Sequence, residues 1–250
     1  MTATLTETII AASLTVLSNG LGGLPFVFTK KFPKEIARLG WAASGGLMIS
    51  ASFFNLINPG LQDGGYIPVA IGIALGAVLM VATSKWLENQ EIEFQGLSAD
   101  GSRKIILVLI TLFIHSFPEG IAIGVAYGSG EAQLGILIAI AIAIHNIPEG
   151  LAVALPLNAE GVPGWKCVGW AIFSGVPQVI AAIPAYLAVM AFRPLLPYAF
   201  GFAAGAMLLL VMYEMIPESR ASEKERLTSA IAGMIGFLFM MVFQLLFNNG

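Results

Sequence analysis

The sequence predicts an all-α, polytopic membrane protein with eight transmembrane helices. Three observations carry this. The 250 residues are 57% hydrophobic and 11% charged, with a mean hydropathy of +0.85. The apolar residues fall into eight runs of about 20, enough to cross a hydrocarbon core roughly 30 Å thick. The basic residues collect in alternate gaps between the runs. A chain this long and this apolar does not build one soluble core.

The runs lie near 5–28, 41–61, 65–84, 104–127, 132–157, 165–190, 195–217 and 227–247. The first has no Lys or Arg before it and none until Lys30, so it reads as a retained span rather than a cleaved signal. The second follows Lys30, Lys31, Lys34 and Arg38 and closes on Pro59. The third carries Gly72 and Gly76, small residues that let helix backbones approach where lipid supplies no hydrophobic drive. Segment 85–103 is too short and too polar for a domain, and with Glu88, Glu91, Glu93 and Asp100 it reads as a solvated acidic loop on the cytoplasmic side. The reading is one membrane domain over residues 1–250.

Eleven of the twelve basic residues fall between an odd span and the next even one, with Arg193 the exception. The positive-inside rule then puts both termini outside, in the periplasm or extracellular space, of a cell (inner or plasma) membrane. Cys167 is the only cysteine, which excludes an intramolecular disulfide and a Cys-rich metal site; it reads as a packing residue. The basic residues form no patch that would suit a nucleic acid.

Spans four and five hold the chain's distinctive chemistry. His115-Ser116-Phe117-Pro118-Glu119-Gly120 and His145-Asn146-Ile147-Pro148-Glu149-Gly150 are near-copies at a constant offset, and they contain both histidines. An acidic side chain at mid-bilayer costs roughly 2.5–3.5 kcal/mol on insertion scales, so such groups face a bundle interior and serve a function there. Positions four apart share a helix face. Each helix therefore presents an imidazole beside a carboxylate, and two such helices supply nitrogen and oxygen donors suited to zinc and neighbouring first-row divalent ions. Ser116 and Asn146 add weaker oxygens. Pro118 and Pro148 are expected to kink both helices and free the carbonyls of Ile114 and Ile144.

A fainter echo relates spans two and seven: setting Asn58-Pro59 on Ile216-Pro217 aligns two starts rich in small residues. Those spans run oppositely through the bilayer, as inverted transporter repeats do. A 3+2+3 plan follows, with the duplicated pair at the centre. The small-residue faces leave room for a homodimer.

Neither the H-E-x-x-H spacing of zincins nor the Glu-x-x-His of di-iron bundles occurs, and no P-loop supports ATP-driven pumping. An intramembrane metalloenzyme and a non-transporting metal receptor remain as alternatives using the same ligands. The first needs an open coordination position and a route for an organic substrate. The second lacks a soluble output domain.

At the paired motifs the chain resembles the ZIP family of divalent-metal transporters, in the prokaryotic branch that carries H-N-x-P-E-G in both the fourth and fifth spans. The resemblance extends in topology over the whole chain. It implies a transporter rather than an enzyme, without a prosthetic group, carrying zinc first, with iron, manganese, cobalt and cadmium as further substrates. It also implies inward movement; alternating access about a midplane site is the expected mechanism. Carried over residue by residue, His115, Glu119, His145 and Glu149 look like the transport-site ligands, with Asn146 beside them. Met48, eleven residues before Pro59, matches a methionine that family members use in span two. The chain departs from members with a two-metal site at Ser116, where they have asparagine, and at Gln178, where they have glutamate. Both changes weaken a second site. The 85–103 loop lacks the histidine cluster often found there, and in span seven Glu214 and Glu218 follow the pattern of a kinked exit helix, with Glu214 the deeper.

Overall fold

A computed structural model describes residues 3–29, 33–88, 99–216 and 223–248, all helix, turn or short link, with no strand among them. Eight long helices follow in chain order. Helix α1 (Leu5–Gly23) is extended past Leu24 by a short helix, Pro25–Phe28. Helix α2 begins as Lys34–Ala51, passes through a π-helical segment at Ser52–Ile57 and ends as Asn58–Gly64. Then come α3 (Tyr66–Glu88), α4 (Ala99–Gly128), α5 (Ala132–Ala159) and α6 (Gly164–Ala191). After a 3₁₀ turn at Arg193–Leu195, α7 (Leu196–Leu210) runs into a second π-helical segment, Val211–Met215, and α8 is Glu223–Asn248. Among the described residues six of the eight, all but α2 and α4, are long and apolar enough to cross a membrane. Of the acidic residues singled out in the loops, Glu91, Glu93 and Glu218 lie outside the described residues.

Local sequence accounts for the helix ends. Thr4 caps α1 in a capping box: its Oγ1 accepts the Glu7 amide at 3.2 Å while the Glu7 carboxylate accepts the Thr4 amide at 2.7 Å. The turn between α4 and α5 passes through Gly130 at φ +89°, a conformation that favours glycine.

Both motif prolines lie inside long helices. Helices α4 and α5 run as continuous α-helix through Pro118 and Pro148. Irregular turns occur in α2, ahead of Pro59, and at the end of α7, before Ile216. A proline ring clashes with the carbonyl four residues back, and widening the turn relieves it. The Asn58 amide accordingly reaches five residues back to Phe53, and that of Ile216 to Val211. The two π segments occupy matching places in the α2/α7 alignment.

The helices associate in two sets of four, α1, α4, α5 and α6 in one and α2, α3, α7 and α8 in the other. Glycines set the closest approaches within each. A Cβ at Gly120 or Gly124 of α4 would strike the carbonyls of Gln178 or Ala182 on α6, and one at Gly72 or Gly76 of α3 would strike those of Tyr198 or Phe202 on α7. Between the sets α2 meets α5 and α4 meets α7. There Gly40 of α2 has only an ordinary van der Waals neighbour, Pro148, at 3.9 Å.

Candidate metal site

The site forms where α4 and α5 bring their motif faces together inside the first set of helices. Glu119, His145 and Glu149 each offer a ligand atom within 4.8 Å of the others, and their residues are 0–4% exposed. His145 Nε2 lies 2.9 Å from Glu119 Oε1. Two carboxylates and one imidazole at this separation, away from water, form a donor set that suits a divalent cation. One oxygen of Glu149 and Nδ1 of His145 are buried without a hydrogen-bond partner among the described residues.

Glu119 is held from behind. Its Oε2 accepts the Gln178 side-chain amide at 2.6 Å. The Gln178 side-chain Oε1 in turn accepts from Thr15 Oγ1 at 2.5 Å and from Asn146 Nδ2 at 3.2 Å. Asn146 also donates to the Thr15 backbone carbonyl at 2.8 Å. This chain of bonds ties α1, α5 and α6 to a single oxygen of α4, which orients the carboxylate as outer partners orient metal ligands.

The other residues singled out from sequence take different places. His115 is buried on α4 one turn from Glu119, outside the three-residue group. Ser116 Oγ donates to the Ser174 carbonyl of α6 at 2.9 Å. Met48 is buried on α2. One turn earlier on the same face, Ser44 donates to the His145 carbonyl at 3.2 Å, so this face of α2 looks toward the motif. Glu214 falls in the second π segment, and its side chain lies outside those described.

Thr15, Asn19 and Ser44 were missed by sequence reasoning. A signal existed in α1: Thr8, Thr15 and Asn19 lie on one face of an otherwise apolar span, and all three are buried. Asn19 backs directly onto Gly150, where a Cβ would strike its carbonyl.

Fold and site together define a polytopic helical membrane protein with a buried carboxylate and imidazole cation site. A family model described as ZIP Zinc transporter matches residues 95–244, and the chain belongs to that family. It is 30% identical over 250 residues to Zinc transporter GufA of Myxococcus xanthus, covering 95% of this chain and 97% of that protein. It is 38% identical over 216 residues to Zinc transporter ZIPB of Bordetella bronchiseptica, covering 82% and 69%. With a relative from Arabidopsis thaliana it shares 34% identity over 81% of this chain, and it spans only 33% of that longer protein.

Proposed function

We propose that the protein carries a divalent metal ion across the membrane, zinc in first place, through the Glu119, His145 and Glu149 group. The observation that carries this reading is the convergence of two carboxylates and an imidazole, from both copies of the motif, inside a membrane bundle. The names of the similar proteins agree with zinc. Iron, manganese, cobalt and cadmium share the same donor chemistry and belong in the substrate screen.

In this reading Glu119, His145 and Glu149 bind the ion, and His115 and Met48 join on neighbouring turns as the helices move. Asn146 and Gln178 position Glu119, Ser116 braces α4 on α6, and Glu214 lies on the way out. The metal-bearing set, α1, α4, α5 and α6, shifts against α2, α3, α7 and α8 to expose the ion to each side in turn. The glycine-locked seams within each set support this division. The matching π segments of α2 and α7 support the inverted-repeat plan. Movement is inward, with both termini outside, and any homodimer forms through small-residue faces.

Metal flux into proteoliposomes tests the proposal, with zinc, manganese, iron, cobalt and cadmium offered in turn to the wild type and to His145→Ala with Glu149→Ala. Saturable zinc flux that vanishes in the double variant is expected. Binding at equilibrium without flux, in protein verified to be inserted, overturns transport.

A further inference from the structure

A cavity of about 930 Å³ that none of the metal-group residues line lies between α2, the π segment of α7 and the first half of α8. It falls in the range of pockets that hold a whole small-molecule ligand. Its floor is made by Gly45 and Gly46 of α2, with Val211 and Met215 of α7. Its rim on α8 carries Leu227 and Met234, 65% and 60% exposed, as befits side chains facing lipid. One end is different: Arg226, in the first turn of the apolar stretch Glu225–Leu246, lines the cavity there and is exposed. The other nearby guanidinium, Arg38, is engaged: it donates to the Glu225 carbonyl at 2.9 Å, to Thr228 Oγ1 at 3.2 Å and to Ser229 Oγ.

We infer that this groove binds a phospholipid with an anionic headgroup, its acyl chains along the α2 and α7 wall and its phosphate on Arg226. The chemistry matches at both ends. The lining is mostly apolar, with Ser229 and Arg226 toward one end, and the cation sits at the end of the membrane span, where headgroups lie. The positive-inside pattern places that end in the cytoplasmic leaflet, whose anionic lipids attract basic residues there. Bound lipid completes the wall that α2, α7 and α8 leave open and makes the packing of that set depend on the leaflet.

The test is native mass spectrometry of the full chain released from nanodiscs of mixed phosphatidylglycerol and phosphatidylcholine. Wild type is compared with Arg226→Gln, with Arg193→Gln at the other membrane face, and with Ala230→Phe, which fills the groove from α8. Wild type is expected to retain phosphatidylglycerol selectively. Arg226→Gln should weaken that retention about five-fold, the equivalent of about 1 kcal/mol per basic residue at an anionic surface. Arg193→Gln should leave it unchanged, and Ala230→Phe should abolish it. Selectivity that survives Arg226→Gln overturns the proposal even if the bulkier variant misfolds. So does a wild type whose groove is covered by a second copy, seen as a dimer that Ala230→Phe dissociates with no change in bound lipid.

Discussion

The two copies of the motif are nearly identical in sequence and unequal in structure. In the second copy His145 and Glu149 both enter the metal group, and Asn146 reaches across to Thr15 and Gln178. In the first only Glu119 enters, while Ser116 is bonded to the Ser174 carbonyl and His115 stays outside. The neighbours make the difference. Helix α4 lies tight on α6 through its glycines, whereas α5 sits between α1 and α2, donating from Asn146 to the Thr15 backbone carbonyl of α1 and accepting from Ser44 of α2. Equal spacing within a helix fixes which side chains share a face; the adjoining helices decide which of them reach the ion.

The largest effect should come from Glu119→Ala or Glu149→Ala. Outer partners of a metal ligand are worth 10–100-fold in affinity, so loss of a ligand itself should weaken zinc binding by at least about 100-fold. Equilibrium dialysis of the purified protein would measure it, and a change below ten-fold in either variant would remove that carboxylate from the site. Next in size is the contrast between the histidines. His145→Ala should weaken binding about 100-fold, as loss of a ligand, and His115→Ala clearly less; equal losses would mean that the asymmetry of the two copies has no bearing on the ion.

Gln178→Leu should follow at about ten-fold, because it frees Glu119 Oε2 and strips Asn146 and Thr15 of a shared acceptor. Rescue by Gln178→Asn is not expected, since the shorter amide cannot span the same partners. Gly124→Ala should leave zinc affinity alone and cost about 1–3 kcal/mol of stability, because its Cβ meets a backbone carbonyl of α6 that cannot turn aside. A thermal shift in detergent checks this, and an unchanged melting temperature would mean that the α4 and α6 seam is looser than drawn. Ser116→Ala should be mildest, about 1 kcal/mol of stability with flux retained.

Much of this was legible beforehand, for identifiable reasons. The eight helices follow from hydropathy and length, and a polar motif inside an apolar run announces itself by its solvation cost. Spacing alone names His115 together with Glu119, His145 and Glu149 and does not separate it from the three that come together. What sequence could not give was the pair of irregular turns, ahead of Pro59 in α2 and at the end of α7. Nor could it give the contribution of α1, because Thr15 bonds to Gln178 across 163 residues of chain. Helix periodicity shows a polar stripe in α1 but carries no information about its partner.

The π segments have a consequence for tolerance to insertion and deletion. A π turn is an α-helix holding one residue more than its turns require. Deleting a single residue within Ser52–Ile57 or Val211–Met215 can therefore be absorbed as a return to ordinary helix, with the rest of the span still in register. The same deletion between His145 and Glu149 has no surplus to draw on. It would turn Glu149 by about 100° around α5, away from its partners. Length variation among related chains should then gather at these two points of α2 and α7 and avoid the motif helices.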